Sequence, residues 1–273
     1  MGGIFSKTGR PKLPGAYFNF AGVSPSPLPA SPGSAVAIPF THDWGPLDET
    51  VRVNSFAQFQ AVYGTTDTTD GYRAVRQAFM GEGVDGRGGA GEVVCHRIGA
   101  ASAAKATLVL NNTSAAPAIT LTARYHGTRG NSLKITTQDY ASDSLKNELI
   151  ILDGTVILER FVYTDTDITS LAAAINSRSQ WVTAGSVTTG IALAIVTGTS
   201  MASGDNGLTI LIGDWTAAIA ALELAPFAAL CCYGLNDAST KTAVIAWAAA
   251  QNLIGKRFFT VFGGAAAEAV STA

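Results

Sequence analysis

Three consecutive segments, PFAALCCY (Pro226–Tyr233), ASTKTAVIAWAAAQNL (Ala238–Leu253) and RFFTVF (Arg257–Phe262), carry the reading of the fold. The first and third are short and apolar, as strands buried on both faces are. The middle one sets Val244, Ile245, Trp247 and Ala248 on a packing face at helical spacing. Strand, helix, strand with apolar strands predicts a parallel sheet covered by helices. Ahead of them, Trp215–Leu224 reads as an Ala/Leu helix. After them, Ala265–Ala273 reads as the start of another helix, so the sequence is expected to stop inside a domain.

The same character recurs nearer the N-terminus. Ser34–Phe40 reads as a buried strand and Val51–Val53 as a short one. Ser55 is the expected N-cap of a helix through Phe56, Phe59 and Val62, stopped by Gly64. Asp70 is the expected cap of a second helix, with Tyr72, Val75, Ala78 and Phe79 at helical spacing. A glycine-rich loop, Gly81–Gly91, leads to the strand Glu92–Ile98.

Residues 104–212 change character. Thr, Val, Ile and Leu dominate short runs: Thr107–Leu110, Ala118–Tyr125, Leu133–Thr137, Glu148–Leu152 and Thr155–Tyr163. Asp153-Gly154 between the last two is a strong hairpin signal. One helix interrupts at Ile168–Ser177, capped by Asp167 or Thr166. This is a mostly β module, a sandwich or a barrel.

At the other end, glycines and prolines break any periodicity before Gly22, leaving Ala16-Tyr17-Phe18-Asn19-Phe20 as a strand-like arm. Ser24–Gly33, with prolines at 25, 27, 29 and 32, is a stiff polyproline-type linker. The expected organisation is arm and linker (1–33), first part of an α/β core (34–103), β-rich insert (104–212), and second part of the core (213–273).

Composition narrows the function. Charged residues are 14% of the chain, well below the roughly 25% usual for soluble domains, and 47% are hydrophobic. Such a surface suits a protein covered by copies of itself. A net charge of −2 offers no basic excess for nucleic acid. Cys95, Cys231 and Cys232 give no disulfide framework and fit a reducing compartment. No signal peptide is read at the start. Trp215–Leu235 is long enough to span a bilayer, but Glu223 and Pro226 near its middle argue for buried helix and then strand.

Chemistry-bearing motifs are weak. Gly81-Glu82-Gly83-Val84-Asp85-Gly86 matches a dinucleotide fingerprint in letters only, since a helix precedes it and a strand follows. The N-terminal Met1–Ser6 fits a myristoylation pattern but reads as an arm tip. His42-Asp43 before Trp44-Gly45-Pro46 reads as a packed turn. Cys95 and His96, adjacent on a strand, point to opposite faces and do not share a metal. Cys231 and Cys232 on an apolar strand are expected to have raised pKa values, which suppresses thiolate chemistry. No G-x-S-x-G elbow occurs. The expectation is no catalysis, no cofactor and no metal.

Several stretches, in order, resemble contractile tail sheath proteins of phages and related injection machines. They are Pro14–Phe20, Ser34–Pro39 with Trp44-Gly45-Pro46, Val53–Phe56 with Phe59 to Tyr63-Gly64, and Leu222–Leu230 with Pro226-Phe227. The most specific is Tyr125–Leu133, whose Gly127-Thr128-Arg129-Gly130-Asn131 is similar to a G-T-x-G-N-x-L turn that opens a β module. The resemblance implies a partial subtilisin-like α/β core without protease function. It implies a homo-oligomeric helical sheath in the virion tail, assembled in the host cytoplasm. Implied partners are an inner tail tube protein and baseplate and tail terminator proteins, with no direct nucleic acid and no membrane insertion. Ala16–Phe20 would be an inter-subunit arm strand, and residues 127–131 a structural turn. Two other readings stand beside it: a surface or carbohydrate-binding virion module based on the β segment, and an α/β hydrolase-like enzyme.

Overall fold

The computed structural model describes residues 35–81 and 89–263. The arm, the Pro-rich linker, most of the glycine-rich loop and the last ten residues lie outside them. In chain order the elements are β1 (Ala35–Phe40), β2 (Thr50–Val53), α1 (Phe56–Tyr63), α2 (Asp70–Met80) and β3 (Glu92–Arg97). There follow β4 (Lys105–Asn111), β5 (Pro117–His126), a 3-10 turn (Thr128–Ser132), β6 (Leu133–Asp139), β7 (Lys146–Asp153) and β8 (Val156–Thr164). Then come α3 (Ile168–Arg178), β9 (Val182–Val187), β10 (Val196–Ser200), α4 (Ile212–Leu222), β11 (Ala229–Cys232), α5 (Ala238–Leu253) and β12 (Phe259–Phe262).

One sheet has five strands in the order β12-β11-β1-β3-β2. Its first four are mutually parallel, and β2 runs antiparallel along the β3 edge. Alternation along each strand divides the sheet's two faces. Ile38, Phe40, Val93 and Cys95 pack under α1 and α2 with Phe59, Tyr63 and Val75. Ala37, Val94, Leu230 and Cys232 pack under α4 and α5 with Trp215, Ile219, Leu222 and Val244. Gly71 lets α2 close on β1, because a Cβ there would lie 2.3 Å from the Phe40 ring.

All of β4 to β10 falls in the chain between β3 and β11 and forms two antiparallel sheets, β4-β5-β9 and β10-β6-β7-β8. Their inner faces share one apolar core, with Leu110, Ile119 and Leu121 from one sheet and Leu133, Ile135, Leu149, Ile151 and Phe161 from the other. Helix α3 adds Ile168, Leu171 and Ile175. After β10 the chain crosses between sheets, as Thr107 on β4 pairs with Ala202. The hairpin at Asp153-Gly154 is present, with Asp153 opposite Val156 and Gly154 at φ 63°.

Caps and boundaries shift in places. Ser55 accepts from Gln58 N and Asp167 from Ser170 N, as expected. The cap of α2 is Thr69, whose hydroxyl accepts from Tyr72 N, and Asp70 is the first helical residue. An acid in the first turn still favours the helix through its dipole. Helix α4 begins before Trp215, and Asp214 accepts from Leu211 N at 2.8 Å to hold that start. Strand β11 begins after Pro226, which has no N–H for a ladder.

Candidate functional site: the junction of sheet and β module

Three chain segments meet where the parallel sheet hands over to the β module. The loop after β1 runs Thr41-His42-Asp43-Trp44-Gly45-Pro46. Strand β3 ends at Arg97. The turn after β5 is Gly127–Asn131. Trp44 leaves the sheet and enters the module's core, stacking on Trp181 at 5.6 Å and meeting Tyr125 edge-on at 5.4 Å.

Arg97 lies beneath, wholly buried. Its Nε donates to His42 O at 2.9 Å, and its Nη1 to Gly45 O and His126 O at 2.8 Å each. One guanidinium therefore ties the sheet's loop to the module's strand through backbone oxygens. Burial pulls its pKa down to about 10, which leaves it charged at neutral pH.

The sequence-singled turn is built against the same loop. Gly127 has φ 129°, and a Cβ there would lie 2.0 Å from Asp43 O. Thr128 N and its hydroxyl donate to Asn206 Oδ1 at 2.7 and 3.1 Å. Arg129 N donates to Asp43 O at 3.4 Å, and its Nη2 to Asp153 Oδ2 at 3.2 Å. Its guanidinium carbon stands 5.5 Å from the Trp181 ring centre. A Cβ on Gly130 would come within 2.8 Å of Ala106 Cβ, so the turn packs on β4. Asn131 makes a closed pair with Gly204, donating to its O at 2.9 Å and accepting from its N at 2.8 Å. The turn thus fastens the end of β5 to the chain that leaves the module. The arm strand Ala16–Phe20 lies outside the described residues.

His42 and Asp43 form the nearest approach to a catalytic pair. Nδ1 of His42 lies 2.8 Å from Asp43 Oδ1 and 3.3 Å from Trp44 N. Trp44 N donates to Nδ1, and Asp43 Oδ1 has no hydrogen-bond partner among the described residues. A base in this pair would need a hydroxyl or thiol within reach of the imidazole. Nε2 is buried with no hydrogen-bond partner, so among the described residues no hydroxyl or thiol stands at its disposal. Burial holds His42 below its ordinary pKa despite the Asp43 carboxylate.

A cavity of about 670 Å³ opens at the carboxyl ends of β1 and β11. This is where the strand order turns from β3 to β11, the usual ligand position in open α/β sheets. Its acids are Asp70 and Asp237. Asp237 is committed to capping α5: it accepts from Thr240 N at 2.7 Å and from the Ser239 and Thr240 hydroxyls at 2.6 Å, which hold its pKa at about 2. The lining includes neither His nor Cys, so Ser239 has no imidazole to activate it. Burial pushes the Cys232 thiol up to about 12 and raises Cys231 as well. Cys95 packs under α1 and α2, while His96 Nδ1 lies 3.1 Å from the Thr50 hydroxyl. Among the described residues no three His, Cys, Asp or Glu side chains gather at metal-binding distance, and no helix is long and apolar enough to cross a membrane.

Sequence reasoning reached the turn and the W-G-P loop but missed Arg97, Trp181, Gly204 and Asn206. Only Arg97 carried a signal, being a charge closing an apolar parallel strand. The others sit far along the chain from the turn they touch.

The class these pieces define is a helix-covered, largely parallel α/β sheet with a two-sheet β module inserted between its strands. That fold is shared with a sheath tail protein from Listeria innocua, at TM-score 0.65 and 20% identity, over 84% of this chain and 47% of the other. It is shared also with a sheath tail protein from Desulfitobacterium hafniense, at TM-score 0.68 and 20% identity, over 90% of this chain and 52% of the other. The chain spans about half the length of these proteins. No family model and no curated protein sequence matches it.

Proposed function

We propose that the chain is a structural subunit of a contractile tail sheath, polymerising into stacked rings around an inner tube and contracting to drive that tube through a host envelope. The observation that carries this reading is the shared fold with two sheath tail proteins across most of the chain. In this reading 34–103 and 213–273 form a subtilisin-like core without catalysis. Residues 104–212 are a module inserted in it, facing outward from the tube. The tube, baseplate and terminator proteins are the partners, and the virion tail is the location. Residues 127–131 hold the module in place and do no chemistry.

The arm Ala16–Phe20 adds a strand to a neighbouring subunit's sheet, joining copies through backbone hydrogen bonds. Five residues make no stable sheet alone, and a ten-residue polyproline-like linker reaches about 31 Å. Negative-stain microscopy of the full chain tests the reading: tubes or stacked rings are expected, and dispersed monomers at high concentration overturn it. Deleting residues 1–22 is expected to keep the circular dichroism spectrum and abolish the high-mass species in size-exclusion chromatography. Polymerisation unchanged by the deletion removes the arm's role.

A further inference from the structure

Helix α5 has little of the polarity that a solvent-facing helix carries. Among its 16 residues Lys241 is the single charge. Thr240, Val244 and Gln251 form its buried side, whereas Ile245, Ala246 and Ala249 are exposed, Ile245 to 55%. Helical spacing sets Lys241, Ile245, Ala249 and Asn252 along one flank. Strands β11 and β12 are parallel neighbours joined through α5. A right-handed passage between them turns that flank toward the β12 side and away from α4. Phe262 on β12 packs into the same layer.

We propose that residues 265–273 form a helix lying parallel to α5 along this flank, covering Ile245 and Ala249 and pairing Glu268 with Lys241. The described chain reaches Gly263 at the carboxyl end of β12, and residues 264–273 read GAAAEAVSTA. Alanine is the strongest helix former. Glu268 is the segment's one charge, and it falls in the first turn, where the helix dipole favours an acid. Both helices start at the carboxyl end of the sheet, so Glu268 comes level with Lys241 in the first turn of α5. Lys241 has no ion-pair partner among the described residues.

The reach matches. Nine helical residues span about 14 Å, past Ile245 at about 10 Å from the start of α5 but short of Leu253 at about 22 Å. Small side chains on both partners allow the axes to approach to about 8 Å. So short a helix is marginal in water by itself, and its order therefore depends on the flank it covers. The flank is then closed by the chain's own residues and is no contact surface for a neighbouring copy. This packing is independent of the sheath reading.

The test is hydrogen exchange at residues 268–273 in the full chain over a range of protein concentrations. Expected are protected amides whose protection does not change with concentration. Ile245→Asp, on the surface of α5, should lower that protection about tenfold while leaving exchange at β1 and β3 unchanged. Lys241→Glu should lower it about threefold, and adding Glu268→Lys to it should restore the parent's value. Exchange of the segment at the unstructured rate in the parent overturns the proposal, as does protection indifferent to Ile245→Asp. Protection that grows with concentration assigns the flank to a second copy and overturns it too. If Ile245→Asp does not fold, the charge exchange between Lys241 and Glu268 decides: a double variant no better protected than Lys241→Glu alone overturns the pairing.

Discussion

The β module's junction and the β12 end of the α/β sheet are finished in opposite ways. At the junction a charged side chain, Arg97, is completely buried and met by three backbone oxygens, while Trp44 fills a core that belongs to other elements. At the β12 end apolar side chains lie open: Leu224 is 93% exposed, Leu253 89% and Phe259 78%. The groove beside them, about 420 Å³, is lined by Phe227, Trp247 and Phe258 with Lys256 and Arg257 at its rim. Buried polar groups demand one geometry, because an unmet partner is expensive. Exposed apolar groups demand none. The contrast teaches that the module's orientation on the sheet is specified within this chain, whereas at the β12 end Leu224, Leu253 and Phe259 pack on nothing among the described residues.

Breaking the junction should have the largest effect. Arg97→Met strips three backbone carbonyls, two of them in buried hydrogen bonds, of their donor and is expected to lower unfolding stability by about 3 kcal/mol, read by urea denaturation. A loss under about 1 kcal/mol would mean that water replaces the guanidinium and that the junction is looser than its distances suggest.

A smaller effect sharpens the same comparison. Asn131→Ala removes both bonds to Gly204 and should cost about 2 kcal/mol, with a matching drop in thermal midpoint. The loss should appear first as faster hydrogen exchange at Gly204 and Thr128. An unchanged midpoint would show that the turn is held by Gly127 and Arg129 alone.

The least effect is expected at the open end. Leu224→Ser should stay within about 0.5 kcal/mol of the parent while reducing self-association in sedimentation velocity. A loss above about 1 kcal/mol would show that this end is covered in solution, and the contrast between the two regions would fail.

Local chemistry was legible in the sequence and proved sound where it is local. Ser55 and Asp167 cap their helices, Asp153-Gly154 turns its hairpin, and the apolar segments around α5 become parallel strands. Each depends on neighbours a few residues away, so residue type and spacing are enough. The Thr69 cap slipped by one residue because Thr and Asp compete as caps at adjacent positions.

By itself, then, the sequence determined an α/β segment on either side of a β segment, and it marked Gly127–Asn131 as a constrained turn. Only the tertiary structure decided that Trp44 packs in the module's core, that Arg97 bridges two segments, and that Asn131 closes on Gly204. The hydrogen bonds among those contacts join residues from 29 to 73 positions apart, and Trp44 meets Trp181 from still further along the chain. Periodicity reports which face of an element is buried. It carries no information about which distant backbone oxygen will accept a given guanidinium, because that is fixed only when the elements pack.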